Sequence, residues 1–380
     1  MSEPSSGESA PVPANGSGVA ARTARLVERV RALELDALLV QPLVDVRYLT
    51  GFTGSNALVV VLAEPGAELG GHRFFSDFRY ASQSAEQVVA LYEREIVTGE
   101  LLDALAAALA RGRGRLGFSD SVLTVGDHRR LAESTGDAWE LVACEEEVAR
   151  LRTVKDAGEV AAIRAAAELA DAALTELLER GLAGRTEREV AIELELRMRR
   201  LGAEEASFPS IVAAGPHAAL PHAAPRDVEI PRDVLVTIDW GARHQGYCSD
   251  CTRTYATGED IGERARAVYE LVRKAQQAGI DAVRPGISGR AADAAAREVI
   301  ERAGEGERFG HGLGHGVGLD IHDLPDYYWD DTPLKVGEVF TVEPCLLMEG
   351  VAGTRIEDVV VVTEDGVRVL SNSGRGLTPS

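Results

Sequence analysis

The sequence lacks the features that would place it in a membrane or on nucleic acid. No apolar run approaches the roughly 20 residues that a helix needs to cross a bilayer. Basic residues are outnumbered, with 40 Lys and Arg against 61 Asp and Glu, and the formal net charge is −21 with neither sign in a long block. A nucleic-acid groove requires clustered Lys and Arg. We therefore expect neither a membrane nor a nucleic acid among the partners.

Cysteine is also scarce, with four in 380 residues. That number gives no disulfide framework and favours a reducing, cytoplasmic location. Cys248 and Cys251 form a Cys-x-x-Cys, which leaves open a redox pair or half of a zinc site. No second cysteine pair exists to complete a zinc site. Residues 1–21, rich in Ser, Gly, Pro and Ala, lack the basic start and apolar core of a signal peptide and predict a disordered tail.

What remains is ordinary for a globular protein, with 45% hydrophobic residues and enough length for two domains. Residues 22–150 alternate short apolar strands with helical stretches, which predicts a smaller α/β domain. Residues 151–380 predict a larger α+β domain in which the order helix, helix, strands occurs twice. Its first two helices are expected to start at Thr153 or Asp156 and at the capping box Thr186–Glu189, and to end at Gly181 and Gly202. Further helices are expected near 262–280 and 288–303, with strands over 207–257 and 308–370.

A pair of aspartates marks the first of these strand regions. The stretch VLVTIDWGARHQGYCSDCTRTYAT, residues 234–257, has the alternation of a β-hairpin. A turn centred between His244 and Gln245 would place Asp239 directly opposite Asp250, on one face of the strand pair. Like charges that face each other repel, so both side chains either reach water or share a cation. The apolar flanks favour the cation.

Acidic and histidine side chains recur in the second strand region. Glu343 ends an apolar strand, and Glu357 precedes a run of four valines; burying either is costly unless it is paired, protonated or bound to metal. The stretch GHGLGHGVGLDIHDLP, residues 310–325, carries three histidines, and its alternating glycines disfavour both a helix and a dinucleotide-binding loop. Ligands of the types Asp, Asp, His, Glu and Glu suit two oxygen-preferring divalent ions that share bridging carboxylates.

The ordered motifs resemble one known family. D-x-G, G-Y-x-S-D-x-T-R-T, H-G-x-G-H-x-x-G-L-D-x-H-D, T-V-E-P and R-I-E-D follow one another as in the creatinase/aminopeptidase P/methionine aminopeptidase family. TGFTGSNA, SDFRY and RTVKDAGEVAAI are similar to the amino-terminal domain and linker helix of aminopeptidase P and prolidase. The resemblance implies a catalytic domain with the α+β pita-bread fold, preceded by the smaller α/β domain of the same family.

The resemblance also implies a role for each site residue. The metal ligands would be Asp239, Asp250, His315, Glu343 and Glu357, with Asp250 and Glu357 bridging two divalent ions. Mn²⁺ is the expected ion, and Co²⁺ or Zn²⁺ would also suit the ligand set. His222 and His322 would handle protons at the scissile amide together with Glu343 as general base. His311 and Arg355 would hold the substrate, although His311 as a structural histidine in a turn stays open.

The implied activity is a metal-dependent exopeptidase that hydrolyses the Xaa-Pro bond at the amino terminus of a peptide, an Xaa-Pro aminopeptidase. A dipeptidase of the prolidase type would use the same ligands and is the alternative. Methionine aminopeptidases lack a domain like residues 22–148, and creatinases have lost most of the acidic ligands. A non-catalytic binding module on the same fold is the remaining possibility. The expected partners are proline-containing peptides and a second or further copies in a homodimer or homotetramer.

Overall fold

The computed structural model describes residues 16–65, 70–324 and 331–378. The chain divides into two compact units, Met1–Arg152 and Thr153–Ser380, two residues beyond the boundary expected from the sequence. Residues 1–15 of the expected tail lie outside the described residues. Residues 16–21 are helical, so the tail prediction is wrong there. The reason is an apolar stripe at helical spacing, because Val19 and Leu26 are buried on the same helix face.

The amino-terminal unit is a mixed six-stranded sheet with helices. The helices are α1 Gly16–Ala32, α2 Leu43–Thr50, α3 Ala81–Gln87, α4 Leu101–Leu109, α5 Val125–Thr135 and α6 Glu147–Arg152. The strands are β1 Ala37–Val40, β2 Ala57–Leu62, β3 His72–Asp77, β4 Tyr92–Val97, β5 Gly114–Ser119 and β6 Trp139–Cys144. They lie in the order β4-β3-β2-β1-β5-β6. β2 is antiparallel to both β1 and β3, and the other three pairings are parallel.

The core of this unit follows from its uninterrupted apolar strands. All six residues of β2, ALVVVL, are buried, as expected of a strand covered on both faces. Val60 of that strand clusters with Phe75, Leu105 and Trp139 from the neighbouring elements. The indole N–H of Trp139 donates to the carbonyl oxygen of Leu109 at 2.9 Å, which satisfies the polar atom of the largest side chain in the cluster.

The carboxy-terminal unit begins with the helices that the sequence predicts. They are α7 Ala157–Leu178, α8 Glu187–Leu201, α9 Glu263–Ala282 and α10 Gly289–Arg302. Asp156 caps α7 and Thr186 caps α8, and both caps are complete capping boxes with a glutamate three residues later. Gly202 ends α8 in the left-handed conformation, which glycine adopts without strain.

The strands of this unit form one large antiparallel sheet and two small ones. The strands are β7 Glu205–Ala206, β8 Ile211–Ala214, β9 Leu235–Trp240, β10 Ala242–His244, β11 Tyr247–Cys248, β12 Cys251–Ala256, β13 Val339–Val342, β14 Cys345–Met348, β15 Ala352–Arg355, β16 Glu357–Thr363 and β17 Gly366–Val369. The large sheet has the order β13-β16-β12-β9-β8, with β17 added to β16. β14 pairs with β15, and β10 lies between β7 and β11.

The repeated order of elements is visible in the packing. α7 and α8 bury Leu174 and Leu194 against Trp240 of β9, whose indole N–H donates to the carbonyl oxygen of Ala170 at 2.9 Å. α9 and α10 bury Val272 and Ile300 in a second cluster with strands β13 to β16. Each helix pair therefore covers the strands that follow it in the sequence, as the repeat predicts.

Two strand predictions need correction. Within the described residues between 308 and 338 the backbone forms no strand, because the chain folds back on itself through a bridge between Gly316 and Asp323. The hairpin register also differs, since Asp239 pairs with Thr252 rather than with Asp250. Its turn is centred one residue later, where Gln245 and Gly246 both have positive φ. That shift preserves the faces of the strands, so Asp239 and Asp250 still share one face as diagonal neighbours.

No helix in the described part of the chain combines the length and the apolar character needed to cross a membrane.

Candidate metal centre

The acidic residues of the motifs meet near the middle of the large sheet. Asp239 lies in β9, Asp250 immediately precedes β12, and Glu357 opens β16. Thr252 of β12 is in register with Asp239 on one side and with Glu357 on the other. Three adjacent strands thus present carboxylates on one face, and Glu343 follows β13 at the end of the same sheet.

The Gly-rich segment 313–317 runs along β13 and adds the histidine. Three backbone hydrogen bonds join it to this edge: Glu343 to Leu313, Thr341 to His315 and Val317 to Val339, each between amide and carbonyl at 2.8–3.2 Å. A Cβ on Gly314 would lie 1.9 Å from the carbonyl oxygen of Thr341. A Cβ on Gly316 would lie 2.6 Å from the carbonyl oxygen of Asp323. The alternating glycines therefore allow close backbone packing that aims His315 at the carboxylates.

The ligand atoms converge within the range of a metal site. Nε2 of His315 lies 3.6 Å from Oδ2 of Asp250 and 3.5 Å from Oε1 of Glu343. One ligand atom each from Asp250, His315 and Glu357 lie within 4.8 Å of one another. Asp239 is linked to them through Arg355, which pairs with Asp239 and whose Nε donates to the hydroxyl of Thr252 at 3.0 Å.

The electrostatics of this cluster call for a cation. Burial, followed by repulsion from neighbouring carboxylates, raises the pKa of Asp250 and of Glu357 well above the usual range. Burial also raises the pKa of Asp239, against the opposing effect of Arg355. Among the described residues, no donor reaches the buried Oδ1 atoms of Asp239 and Asp250. Two buried acceptors without donors, among four clustered carboxyl groups and an imidazole, fit divalent metal ions well.

Two threonines that the sequence analysis did not single out hydrogen-bond to candidate ligands. The hydroxyl of Thr252 donates to Oε2 of Glu357 at 2.6 Å and accepts from Nε of Arg355 at 3.0 Å. The hydroxyl of Thr341 donates to Oε1 of Glu343 at 3.0 Å. Each threonine stands two residues from a ligand along the chain, which is the spacing that puts two strand residues on one face. This two-residue spacing from an acidic residue is the sequence feature that could have identified both threonines.

The comparisons with known proteins agree with this geometry. Residues 161–364 match the model of Metallopeptidase family M24, and residues 22–154 match the Creatinase/Prolidase N-terminal domain. The chain belongs to metallopeptidase family M24.

Relatives of this M24 metallopeptidase extend over nearly its whole length. The uncharacterized peptidase YqhT of Bacillus subtilis is 38% identical over 349 residues, 91% of this chain and 96% of that protein. The Xaa-Pro dipeptidase from Bacillus anthracis is 35% identical with a TM-score of 0.89, covering 95% of this chain and 99% of that one. The X-Pro aminopeptidase from Thermotoga maritima is 32% identical with a TM-score of 0.83, covering 94% and 99%. The resemblance, the pita-bread fold and the creatinase-type amino-terminal domain are confirmed.

The two remaining histidines of the motifs lie beside the candidate metal ligands. The ring of His322 is 4.4 Å from that of His315 between centroids, and partial burial followed by the nearby His315 lowers its pKa. His222 is exposed and close enough to His322 to contribute to that lowered pKa. The residue before it, Pro221, accepts a hydrogen bond at its carbonyl oxygen from Nη1 of Arg355 at 3.2 Å. Arg355 thus connects the segment bearing His222 to Asp239.

The structure places His311 differently from the other histidines of the M24 motifs. Its Nδ1 lies 2.7 Å from the carbonyl oxygen of Gly312, and its Nε2 lies 2.8 Å from Sγ of Cys345. A neutral ring with the proton on Nδ1 satisfies both contacts, because the thiol can then donate to Nε2. Burial raises the pKa of Cys345 to about 12, so the thiol keeps its proton. Both ring nitrogens are engaged inside the fold, which favours the structural alternative for His311.

The Cys-x-x-Cys pair takes no part in a metal cluster of the described residues, whose metal-binding group contains no cysteine. Cys248 and Cys251 are buried and free, as are the other two cysteines. Burial raises the pKa of both thiols, which disfavours the thiolate that redox or zinc chemistry requires. Sγ of Cys251 instead donates to the carbonyl oxygen of Glu357 at 3.3 Å.

Proposed function

We propose that this metallopeptidase is an Xaa-Pro aminopeptidase, which releases the residue before a proline at the amino terminus of a peptide. The observation that carries the proposal is the convergence of five ligand-type side chains around two buried carboxylate oxygens without donors. The named activities of the Bacillus anthracis and Thermotoga maritima relatives support an Xaa-Pro substrate. The second candidate is an Xaa-Pro dipeptidase, which the Bacillus anthracis relative favours.

The proposed metal ligands are Asp239, Asp250, His315, Glu343 and Glu357. Four carboxylates offset the charge of two divalent ions, and Asp250 and Glu357, near the centre of the cluster, suit the bridging positions. The mixed oxygen and nitrogen donors suit Mn²⁺, with Co²⁺ and Zn²⁺ as alternatives. When bound, such ions lower the pKa of water toward neutrality and polarise the scissile carbonyl group.

Within this scheme Glu343 is the general base. It is less buried than Asp239, Asp250 and Glu357, and the hydroxyl of Thr341 fixes one of its oxygens. Glu343 takes the proton of the attacking water and delivers it to the leaving nitrogen. The pyrrolidine amide of an Xaa-Pro bond carries no N–H, so its nitrogen must be protonated as the bond breaks. His222 and His322 supply donors to that nitrogen and to the developing oxyanion.

A small, mostly apolar recess lies beside Arg355. It is lined by Ile211, Ala213, Leu220, Pro221 and Leu347, with Arg355 at one side. The recess has room for about one water molecule, so its apolar walls offer a contact surface rather than a full pocket, and the buried guanidinium offers donors to a carbonyl or carboxylate group. We assign Arg355 to substrate binding on this basis. His311 keeps the same proposed role only if substrate displaces its contact with Cys345.

The test is a matched pair of substrates, an Xaa-Pro dipeptide and an Xaa-Pro-Xaa tripeptide of the same first residue. Protein stripped by a chelator should be inactive and should regain activity when Mn²⁺ is added. Cleavage of the tripeptide at the Xaa-Pro bond establishes the aminopeptidase, whereas cleavage of the dipeptide alone establishes the dipeptidase. Asp250→Ala is the negative control and should remain folded but inactive. Metal binding without hydrolysis of either peptide would favour a creatinase-like hydrolase or a binding module.

We further propose a cytoplasmic location and assembly into a homodimer or homotetramer. The location is supported by four cysteines that are all free. Light scattering coupled to size-exclusion chromatography gives the mass in solution directly, against 40.5 kDa for one chain.

A further inference from the structure

One buried carboxylate outside the metal centre controls the segment that carries His222. Glu187 is the first residue of α8 and is only 1% exposed. The segment, residues 214–226 and called here the His222 loop, leaves β8 at Ala214 and returns to the same helix end at Arg226. Both of its ends, and one side chain between them, bind the carboxylate of Glu187.

The contacts use both carboxylate oxygens. Oε1 accepts from the backbone amide of Ala214 at 2.9 Å and from Nη2 of Arg226 at 2.9 Å. Oε2 accepts from the backbone amide of Arg226 at 3.0 Å and from its Nε at 3.0 Å. The ring Nδ1 of His217 lies 3.0–3.1 Å from both oxygens. Donors converge on the carboxylate from both ends of a thirteen-residue loop.

These contacts are not needed to cap the helix. The amino terminus of α8 is already closed, because the capping box satisfies the amides of Thr186 and Glu189, and the amides of Glu187 and Arg188 donate to the carbonyl oxygens of Val228 and Arg226. Burying an ionised carboxylate is costly unless donors surround it, so the position of Glu187 makes sense as an anchor for the loop. The donors outweigh the effect of burial, and the pKa of Glu187 is lowered.

The middle of the loop is held from the other side, by the metal centre itself. Nη1 of Arg355 donates to the carbonyl oxygen of Pro221, and Arg355 pairs with Asp239. Leu220 and Pro221 of the loop also line the apolar recess. His222 therefore sits between an anchor at Glu187 and a contact to a metal ligand.

We propose that Glu187 is a positioning residue that acts through His222, by holding the loop 214–226 so that His222 keeps its place at the metal centre. This inference rests on the proposed function for the role of His222. A merely structural role for Glu187 would lower stability in all variants alike and would not depend on whether His222 is present.

The first measurement is hydrogen exchange of the full-length protein, which does not depend on activity. Glu187→Gln keeps the size of the side chain but places an NH₂ group against the donors of Ala214, His217 and Arg226, so some of these hydrogen bonds are lost. The amides of the loop 214–226 should therefore exchange at least about tenfold faster. Glu189→Gln is the matched control, because it makes the same change in the same helix turn and glutamine still completes a capping box. Unchanged exchange of the loop in Glu187→Gln would overturn the anchor.

The second measurement is a double-mutant cycle on Xaa-Pro hydrolysis. Glu187→Gln should lower kcat/KM by about 10- to 100-fold with the metal content unchanged, because small displacements of a reacting group are costly. In a His222→Ala background the same change should lower kcat/KM by no more than about twofold. Equal losses in both backgrounds would overturn the inference. If Glu187→Gln fails to fold, Arg226→Met replaces it, because the Arg226 side chain is half exposed. Its loss should lower kcat/KM by about 3- to 10-fold.

Failure of the inference and failure of the proposed function remain distinct. No Xaa-Pro hydrolysis by the unchanged, metal-loaded protein contradicts the proposed function, and the hydrogen-exchange result still decides whether Glu187 anchors the loop. Full activity of His222→Ala overturns the role of His222 and this inference with it, while the metal-dependent peptidase activity still stands.

Discussion

Thr252 shows how much a neutral side chain contributes at a crowded acidic site. Its hydroxyl has one proton to donate, and Glu357 receives it at 2.6 Å. The same oxygen accepts from Nε of Arg355, which in turn pairs with Asp239. One hydroxyl therefore orients an expected bridging ligand and the guanidinium that orients a second ligand.

Replacing Thr252 by valine should weaken metal binding while leaving the fold intact. Valine has the same shape but leaves Oε2 of Glu357 and Nε of Arg355 without this partner, and loss of such supporting contacts costs about 10- to 100-fold in metal affinity. Metal titration followed by calorimetry measures the change. Thr252→Ser retains the hydroxyl and should restore most of the affinity; equal losses in both variants would assign the effect to packing.

The candidate ligand residues stand out in the sequence because their chemistry is conspicuous. An acidic residue in an apolar strand, such as Glu357, is unexplained without a cation. The supporting residues Thr252 and Thr341 could not be predicted, because threonine is ordinary in strands and its partner depends on the strand register. The role of Glu187 could not be predicted for a similar reason. Glutamate is common in a first helical turn, and the donors that Glu187 binds lie 27 to 39 residues away in the sequence.

At the scale of elements, the strands of the central hairpin could be predicted from the sequence, but the position of its turn could not. The alternation of apolar and polar residues predicted the two strands, and the two-residue period of a strand predicted that Asp239 and Asp250 share one face. The turn position was wrong by one residue, because an Asn-Gly or Asp-Gly signal was absent and the sequence His-Gln-Gly did not indicate which two residues adopt positive φ. The starts of α7 and α8 were predictable because capping boxes are local, whereas α7 ends at Leu178, three residues before the expected Gly181.

Gln245→Asn should stabilise the carboxy-terminal unit by about 0.5 kcal/mol. Gln245 has φ of 51° and is exposed in this turn, and asparagine tolerates the left-handed region better than glutamine. Urea unfolding measures the difference. Gly246→Ala, at φ of 83°, should have the opposite sign and cost about 1 kcal/mol or more. A destabilised Gln245→Asn would contradict the assigned turn geometry.

A second element, the segment after β17, is held by a buried aspartate. The amide of Asn372 donates to Oδ2 of Asp171 at 2.6 Å, and the hydroxyl of Ser373 donates to Oδ1. Burial raises the pKa of Asp171 above 3.8, against the opposing effect of these donors. Because the folded protein then holds the proton more tightly than the unfolded chain, this carboxyl group makes the free energy of unfolding fall as the pH rises from about 3.8 through the raised pKa.

Asp171→Asn should remove that loss of stability. The carboxamide oxygen can accept from the amide of Asn372, and its NH₂ group can donate to the hydroxyl of Ser373, so both contacts survive without a buried charge. The variant should match the unchanged protein near pH 4 and exceed it at pH 7 by about 1.4 kcal/mol for each unit of pKa shift. Urea unfolding at several pH values measures this difference. Asp171→Ala, which loses both contacts, should be less stable throughout, and a pH-independent difference for Asp171→Asn would contradict the argument.

At the scale of the whole molecule, the fold gathers charges that it cannot itself neutralise. A chain of net charge −21 places Asp239, Asp250, Glu343 and Glu357 together at the six-stranded sheet of its carboxy-terminal unit, where Arg355 pairs with Asp239. Such an arrangement is unfavourable for folding by itself. It is typical of a site at which stability is given up for binding and catalysis. The overall fold could be predicted because the motif order spans the chain. The repulsion among the four carboxylates could not, because it depends on how deeply each side chain is buried.

The metal-free protein should therefore be stabilised by Asp250→Asn, although the same change abolishes activity. Asp250 is repelled by Glu357, Asp239 and Glu343, and no donor in the described part of the chain reaches its buried Oδ1. Removal of its charge should therefore raise the melting temperature of the metal-free protein by at least about 2 °C.

Added Mn²⁺ should make the unchanged protein gain more stability than Asp250→Asn. The unchanged protein should gain about 2.7 kcal/mol at a metal concentration 100 times its Kd, because an ion that binds only the folded state stabilises it by mass action. Asp250→Asn, which changes a proposed bridging ligand, should gain little. Calorimetric unfolding with and without metal tests both statements, and Asp281→Asn makes the same change on an exposed helix surface as a control. A metal-free Asp250→Asn less stable than the unchanged protein would show that Asp250 supports the fold by itself, and the acidic cluster would then need another explanation than a cation.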